Sequence, residues 1–338
     1  MHLGNELEKK LSEFPQANLC NGPSPVQDLT NLSAKWKLDF ELSIKRDDLL
    51  GLAFGGNKSR QLEFLLGDAI ALGADCIVHG GAVQSNYGRQ VAAACAQLDL
   101  DCYLVLSDYY NQKLDTGSHL ISQILGAKIF YFHEQLGDSH EIEKRRLSQS
   151  LEKLGRKPYL ITYPKSEILG SLGYLKATLE LSRQLPADRF PQRIVMPAVG
   201  ATYIGALLGL KLLGYTDVEV IGVAPLLDEY PIETTVLDSM KAICKLLEID
   251  FQSIDAPKIN LDFSFVGEGY SKTTKESLGA LVDFAKYEGV MLDPVYTSKA
   301  AASLKSLPSD GKRTLFWHTG GSPAIFAYAN EILEHINP

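Results

Sequence analysis

The sequence predicts an α/β architecture with largely parallel sheets, and three observations carry that prediction. Short apolar runs of strand length alternate with longer amphipathic segments along most of the chain. Runs such as Cys76-Ile77-Val78-His79 and Thr314-Leu315-Phe316-Trp317-His318 are nearly continuous in apolar character, which marks strands buried on both faces. The connections are short, and no internal repeat, low-complexity tract or long linker interrupts them.

Taken in order, residues 1–36 read as a helix over Glu6 to Phe14 followed by a Pro- and Asn-rich loop. Phe40 to Lys45 alternates as a strand and runs into Lys45-Arg46-Asp47-Asp48. Leu62, Leu65, Leu66, Ala69 and Ile70 form one apolar stripe, so a helix follows the turn at Gly55-Gly56 and ends near Leu72. The strand at Cys76–His79, the helix with Val91, Ala94, Cys95 and Leu98 on one face, and the strand Cys102 to Leu106 come next. Further strands are expected at Lys128 to Phe132, Tyr159 to Thr162, Arg193 to Ala198, Glu219 to Ala224 and Thr314 to His318. Helices are expected at Ser118 to Leu125, Ser139 to Leu154, Ser171 to Gln184, from 202 to Leu213, Glu233 to Leu247, Lys275 to Glu288 and Ala324 to Leu333. The charged run Glu141 to Arg146 reads as a solvated helix face.

Composition narrows the function classes. A length of 338 residues suits two domains, or one large one with an insertion, and 45% hydrophobic residues suffice for real cores. A formal net charge of -8 argues against nucleic acid as the main partner. No apolar run reaches a membrane span, and the residues after Met1 do not begin as a signal peptide. The five cysteines are odd in number and contain no CxxC pair, which suggests core thiols in a reducing cytoplasm.

Chemistry concentrates in the loops that follow strands, where ligands of open α/β sheets bind. In Phe54-Gly55-Gly56-Asn57-Lys58, two glycines permit close backbone approach and the lysine lands at a helix N-terminus. Lys58 is either a solvated lysine in a turn or an amine whose pKa is lowered in a desolvated, electropositive site, hence a nucleophile. Gln84-Ser85-Asn86 opens another helix and reads either as an N-cap or as an anion site for a carboxylate. Gly200-Ala201-Thr202 opens a third helix and suits a phosphate, although it is neither a Walker loop nor a dinucleotide fingerprint. Tyr270 and Tyr296 are aromatic core residues or site residues. His79 and His318 read as packed histidines, with no second ligand at metal spacing. A lysine amine, a carboxylate loop, a phosphate loop and late polar residues together describe one cofactor, pyridoxal phosphate.

On these stretches the chain resembles the fold-type II pyridoxal-phosphate enzymes, which are tryptophan synthase β-like. Within them it is similar to the family of D-cysteine desulfhydrase and 1-aminocyclopropane-1-carboxylate deaminase. The resemblance runs from Lys45 to Tyr328 through Lys45-Arg46-Asp47-Asp48, Leu52 to Lys58, Gln84-Ser85-Asn86 with Arg89 to Ala93, Asp293-Pro294-Val295-Tyr296 and His318 to Ala324. It implies two open, twisted, mostly parallel sheets flanked by helices. The larger domain would comprise 1–60 and 165–338, the smaller 61–164, with the cofactor in the cleft between them.

The resemblance also implies residue roles. Lys58 would carry the cofactor covalently and move protons. Ser85, Asn86 and Tyr87 would hold the substrate, with Ser85 at its carboxylate and Asn86 also at the cofactor's 3-oxygen. Gly200, Ala201 and Thr202 would face the phosphate. Tyr270 and Tyr296 would line the substrate side, and Thr297 or Thr319 would face the ring nitrogen. A small amino acid would be the substrate and a homodimer the assembly. Thr297 stands where the deaminase branch has Glu, which favours β-elimination from D-cysteine over cyclopropane ring opening. Two departures from the family pattern, Gln61 in place of a basic residue and a shorter, Gly-poorer loop at 197–202, predict weaker phosphate binding. A catalytically silent binding protein is the alternative of a different class.

Overall fold

Among the residues described by the computed structural model (2–110, 112, 115–198, 200–225, 232–255 and 257–337), ten strands form two sheets. The larger has the order β1 (Val26–Asp28), β2 (Leu42–Arg46), β10 (Thr314–His318), β7 (Arg193–Pro197), β8 (Glu219–Val223) and β9 (Asn260–Asp262). Only the β1–β2 pair is antiparallel. The smaller sheet is parallel throughout, in the order β5 (Lys128–Phe132), β4 (Asp101–Ser107), β3 (Cys76–Ala82) and β6 (Pro158–Leu160). The helices are α1 (His2–Ser12), α2 (Thr30–Trp36), α3 (Asn57–Ala71), α4 (Asn86–Leu98), α5 (Gly117–Ile124) and α6 (Asp138–Lys153). They continue with α7 (Lys165–Gln184), α8 (Gly200–Leu212), α9 (Ile232–Leu246), α10 (Lys275–Glu288), α11 (Thr297–Ser303) and α12 (Ala329–Ile336).

The continuous apolar runs are explained by cores on both sheet faces. On β7, Ile194 and Met196 enter one core with helices α7 and α8, while Val195 enters another with α10 and α11. On β10, Leu315 and Trp317 face the first core and Phe316 the second. Successive strand side chains point to opposite faces, so a strand covered on both sides needs apolar residues at every position.

Differences from the sequence reading cluster in short elements. The N-terminal loop contains β1 and α2, and the chain also forms β9 and α11, none of which was expected. Each is too short to show a period, and each is held from outside. Strand β1 pairs with β2, and the Leu32 amide of α2 donates to the Glu288 carboxylate at 2.7 Å. Helix α7 starts at Lys165, six residues before Ser171, and the expected helix from Ala324 is a 3-10 turn (Ser322–Tyr328) leading into α12.

Parallel pairing of β2 with β10 aligns Arg46 with His318, so Asp47 and Thr319 emerge side by side at the carboxyl end of the sheet. Asp47 is fully buried and takes hydrogen bonds from the Ser24 hydroxyl (2.7 Å), Arg60 (2.8 and 3.0 Å), Tyr174 (2.7 Å) and Trp317 (2.9 Å). Arg60 also bonds Glu180, which pairs with buried Lys45. Burial alone pushes the Asp47 carboxyl up, but the Arg60 guanidinium, together with Lys45 and the Tyr174 hydroxyl, outweighs it and holds the carboxyl at about 2.

Removing one partner of a buried pair leaves an uncompensated charge, so Arg60→Met is expected to cost roughly 3–5 kcal/mol in denaturant unfolding. Because the folded pKa is depressed, the contribution of Asp47 is complete above its unfolded value of about 3.9 and is lost as pH falls toward about 2. The wild-type midpoint should therefore fall more steeply than that of Asp47→Asn over this acid window.

Candidate active site

Beyond the carboxyl ends of β3, β7 and β10 lies a cavity of about 210 Å³. Gly80, Gly81 and Ala82 bring β3 to its wall, Pro197 brings β7, and Thr319 and Gly320 bring the loop after β10. The cavity thus opens where the two sheets face each other, the position expected for ligands of open parallel sheets.

Lys58 reaches this cavity from an unusual turn. All six residues from Gly51 to Gly56 have positive φ, including the non-glycines Leu52 (40°), Ala53 (49°) and Phe54 (73°). Such backbone persists only where its surroundings over-determine it. The Asp47 carbonyl accepts from Leu50 N (3.2 Å) and Gly56 N (2.9 Å), and the Thr319 carbonyl accepts from Asn57 N (2.9 Å). Buried Arg89 donates to the carbonyls of Leu52 (3.4 Å) and Gly55 (3.1 Å). Packing is tight: a Cβ on Gly56 would lie 2.7 Å from Gln90 Nε2, and one on Gly320 would lie 2.5 Å from Gly56 Cα.

The Lys58 amine lies 4.6 Å from the centre of the Tyr87 ring and donates to Gln61 Oε1 at 3.3 Å. Burial lowers its pKa to about 8, with the Glu167 carboxylate opposing that shift. An amine at that value is still mostly protonated near physiological pH but keeps a far larger neutral fraction than an ordinary lysine, so the nucleophile reading of Lys58 gains a physical basis over that of a solvated turn lysine.

Helix α4 presents Ser85, Asn86 and Tyr87 to the same cavity. Ser85 caps the helix, its oxygen accepting from Tyr87 N and Gly88 N, both at 3.1 Å. Capping leaves its hydroxyl proton able to donate outward. Asn86 donates to Asn57 Oδ1 (3.3 Å) and accepts from Arg89 and from Gln90 Nε2 (2.8 Å). Arg89 meets no carboxylate among the described residues, its Nε has no partner, and burial lowers its pKa to about 9.

Thr202 is fully buried and does not line the cavity; neither do Gly200 and Ala201. Its hydroxyl oxygen accepts from Asn57 Nδ2 and Gln61 Nε2, both at 2.8 Å. Gly200 opens α8 with φ of 37°, and a Cβ there would lie 3.0 Å from Glu167 Oε2. Glu167 also accepts from the Ser239 hydroxyl, and burial raises its pKa. Val199, within the 197–202 loop, falls outside the described residues.

Tyr270 and Tyr296 both line the cavity, and the Tyr296 hydroxyl donates to that of Tyr270 at 2.9 Å. Burial pushes both phenols upward in pKa, so they remain proton donors. Thr319 lines the cavity, whereas Thr297 does not. The Thr297 hydroxyl is used inside the turn: it donates to Asp293 Oδ1 (2.7 Å) and accepts from Asp293 N (2.8 Å). His318 lies inside the fold between the Met291 carbonyl (3.0 Å) and Gly320 N (3.1 Å). The His79 ring packs 4.2 Å from that of Tyr87, and its two nitrogens have no partner.

The structure therefore gathers Lys58, Ser85, Asn86, Tyr87, Tyr270, Tyr296 and Thr319 around one space. Sequence reasoning overlooked Glu167, because the first turns of α7 were read as connection. It treated Arg89 only as part of a motif. The one signal for Arg89 was an arginine at an otherwise apolar helix position, next to Val91, Ala92 and Ala93.

Residues 17–320 match the family model described as pyridoxal-phosphate dependent enzyme. A D-cysteine desulfhydrase of Serratia proteamaculans (strain 568) is 35% identical, covering 96% of this chain and 99% of the relative. A D-cysteine desulfhydrase of Yersinia pestis (strain Pestoides F) is 34% identical, with the same coverage of 96% and 99%. The solved structure of an ACC deaminase homologue superposes with a TM-score of 0.88 at 31% identity, covering 98% of this chain and 99% of that one. A fungal L-serine ammonia-lyase from Rhizomucor miehei shares the fold, with a TM-score of 0.69 at 17% identity and coverage of 94% and 99%.

The lowered pKa of Lys58 has a direct check. Acylation at low reagent concentration should modify Lys58 with a midpoint near pH 8, rising as the amine loses its proton. Surface lysines should respond about two units higher, near 10.4. Peptide mapping by mass spectrometry reads both.

Proposed function

The chain belongs to the pyridoxal-phosphate dependent enzymes, and from that premise we propose that it eliminates sulfide from D-cysteine, giving pyruvate and ammonia. The single observation that carries this reading is the cavity shared by a neutral-prone lysine and a protonated tyrosine pair. The curated relatives, whose names state that activity, support it over nearly the whole chain.

The residues present fit the cofactor. A lysine amine with lowered pKa, an asparagine amide, a threonine hydroxyl and wall glycines without side chains surround the cavity. When bound, pyridoxal phosphate supplies an aldehyde for the substrate amine and an electron sink for bonds broken at its α-carbon. In this reading Lys58 holds the cofactor and afterwards takes the α-proton, which an amine near neutrality can do. Ser85 and the amides of the α4 N-terminus bind the substrate carboxylate, with Tyr87 beside them. Asn86, oriented by Arg89 and Gln90, faces the 3-oxygen. Tyr296, bonded to Tyr270, delivers a proton to the departing sulfur. Gly200, Ala201 and Thr202 face the phosphate, with Gln61 reaching Thr202.

Of the two threonines, Thr319 is the better candidate for the ring nitrogen, since the hydroxyl of Thr297 is engaged by Asp293. A hydroxyl leaves that nitrogen unprotonated and the sink mild. A mild sink suits loss of a good leaving group and disfavours opening a carbon ring. The larger domain in this reading comprises 1–60 and 165–338, the smaller 61–164. We place the protein in the cytoplasm as a homodimer; five free cysteines are consistent with a reducing compartment. Among the described residues no helix is long and apolar enough to cross a membrane.

Holo-protein supplied with D-cysteine should yield keto acid, ammonia and sulfide, and with 1-aminocyclopropane-1-carboxylate little or no ketobutyrate. Ketobutyrate without sulfide would transfer the assignment to ring opening. Lys58→Ala should lose both turnover and the absorption band at the visible edge. Borohydride reduction followed by peptide mapping should label Lys58, and a label on another lysine would defeat the assignment.

A second reading, a silent binding protein with a weakened hold on the phosphate, is favoured by the neutral amide of Gln61 and the carboxylate of Glu167 near Gly200. Gln61→Lys adds a charge-assisted contact of about 1.5–3 kcal/mol, which is roughly tenfold to a hundredfold in affinity. Titration of apo-protein should show that gain, together with a further fall in the Lys58 pKa from the new neighbouring cation. Unchanged affinity would mean that Gln61 does not face the phosphate.

A further inference from the structure

Lys299 is fully buried on α11, three residues after Tyr296. Its ammonium donates to three main-chain carbonyls: Val266 at 2.7 Å, Pro225 at 3.0 Å and Gly269 at 3.0 Å. An ammonium has three N–H donors and no acceptor, so all of its hydrogen-bonding capacity is used. No carboxylate pairs with it among the described residues. Burial lowers its pKa to about 8 against the opposing pull of the Asp293 carboxylate, so holding this amine as a buried cation is costly and points to a use.

The carbonyls it chooses indicate that use. Two of them belong to the segment after β9, which carries Tyr270. This segment has left-handed backbone at Gly267 (67°), Gly269 (123°) and Ser271 (64°) and no strand or helix between Asp262 and Lys275. Its internal main-chain bonds are few and long, such as Val266 N to Phe263 O at 3.3 Å and Lys272 N to Gly269 O at 3.4 Å. A segment of this kind takes its shape from outside anchors. One anchor is the Tyr328 hydroxyl, which donates to the Ser271 carbonyl at 3.0 Å. The other is Lys299, bound to the carbonyl of the residue immediately before Tyr270.

We propose that Lys299 is a positioning residue for the tyrosine pair, its ammonium tying the Tyr270 segment to the helix that begins beside Tyr296. Tyr296 and Lys299 share one helical turn, so the tether fixes both phenols in a common frame. The 2.9 Å contact between the hydroxyls then depends on a lysine that touches neither of them. The catalytic part of this inference rests on the reading above that the pair faces the substrate.

The test is a double-mutant cycle on the pyridoxal-phosphate-loaded protein with D-cysteine, using Lys299→Met, Tyr270→Phe and the pair, read beside hydrogen exchange of the peptide spanning 263–271. Misplacing a catalytic group by about 1 Å costs on the order of 100-fold, so Lys299→Met should lower kcat by about tenfold to a hundredfold with KM little changed. On the Tyr270→Phe background the same substitution should have almost no further effect, because both act through one group. Exchange in 263–271 should quicken in Lys299→Met while α3 and β3 stay protected. Additive losses in the cycle, or unchanged exchange, would overturn the proposal. If Tyr270→Phe alone leaves kcat intact, the tyrosine role in the proposed reaction fails, and the exchange result still decides the tether. Should the Met variant not fold, Lys299→Gln replaces it; its amide can reach at most two of the three carbonyls, so a smaller loss of kcat and a smaller quickening of exchange in 263–271 are expected, and the absence of both would overturn the proposal.

Discussion

The Asp47 carboxylate sits at the end of β2 where four other segments converge: Ser24 before β1, Arg60 on α3, Tyr174 and Glu180 on α7 and Trp317 on β10 bond it directly or through Arg60, and Lys45 of β2 joins through Glu180. In a low-dielectric interior such a network is costly unless every member is satisfied, and here the Asp47 oxygens accept five hydrogen bonds. The result is more than stability. Arg60 lies two residues after Lys58 on α3, and the Asp47 main-chain carbonyl holds Gly56 just before it. The ion pair therefore fixes the helix that carries the amine at the same point where it joins that helix to the sheet.

The left-handed turn from Gly51 to Gly56 is the cost of that geometry. Three non-glycine residues adopt backbone that L side chains disfavour, and Arg89 spends its guanidinium on the turn's carbonyls and on Asn86. The tyrosine side of the cavity uses the same device, since Lys299 organises main-chain carbonyls with no carboxylate bonded to it among the described residues.

The two ends of the site differ in chemistry. Around Lys58 and α4 the polar groups are densely cross-bonded and oriented. At the start of α8 the contacts run through neutral partners, Gln61 and Asn57 on Thr202, with the Glu167 carboxylate beside Gly200. A helix N-terminus attracts anions, and a carboxylate held there by Ser239 already answers part of that attraction. A phosphate held there, as proposed above, would compete with Glu167 for the same partial charge, and this end would then set how tightly the cofactor is retained more than what chemistry follows.

The α/β class, the long strands and helices and the residues of the ring-side cavity wall were legible in the sequence because each rests on a local pattern. Runs such as Ile194-Val195-Met196 declare burial on both faces, and Lys58, Ser85 and Asn86 stand at helix starts whose caps and glycines are visible in one dimension. Short β1, α2, β9 and α11 were not legible, since too few residues show a period and their partners lie far along the chain. The same holds for choices between like candidates. Thr297 and Thr319 are equivalent as letters; only the Asp293 turn, which engages the Thr297 hydroxyl, leaves Thr319 on the cavity wall. By itself the sequence determined which residue types stand at the strand ends. The tertiary structure decided which of them share a space and which buried charges hold them there, because register between β2 and β10 and packing of α7 against α3 bring together residues about a hundred or more positions apart.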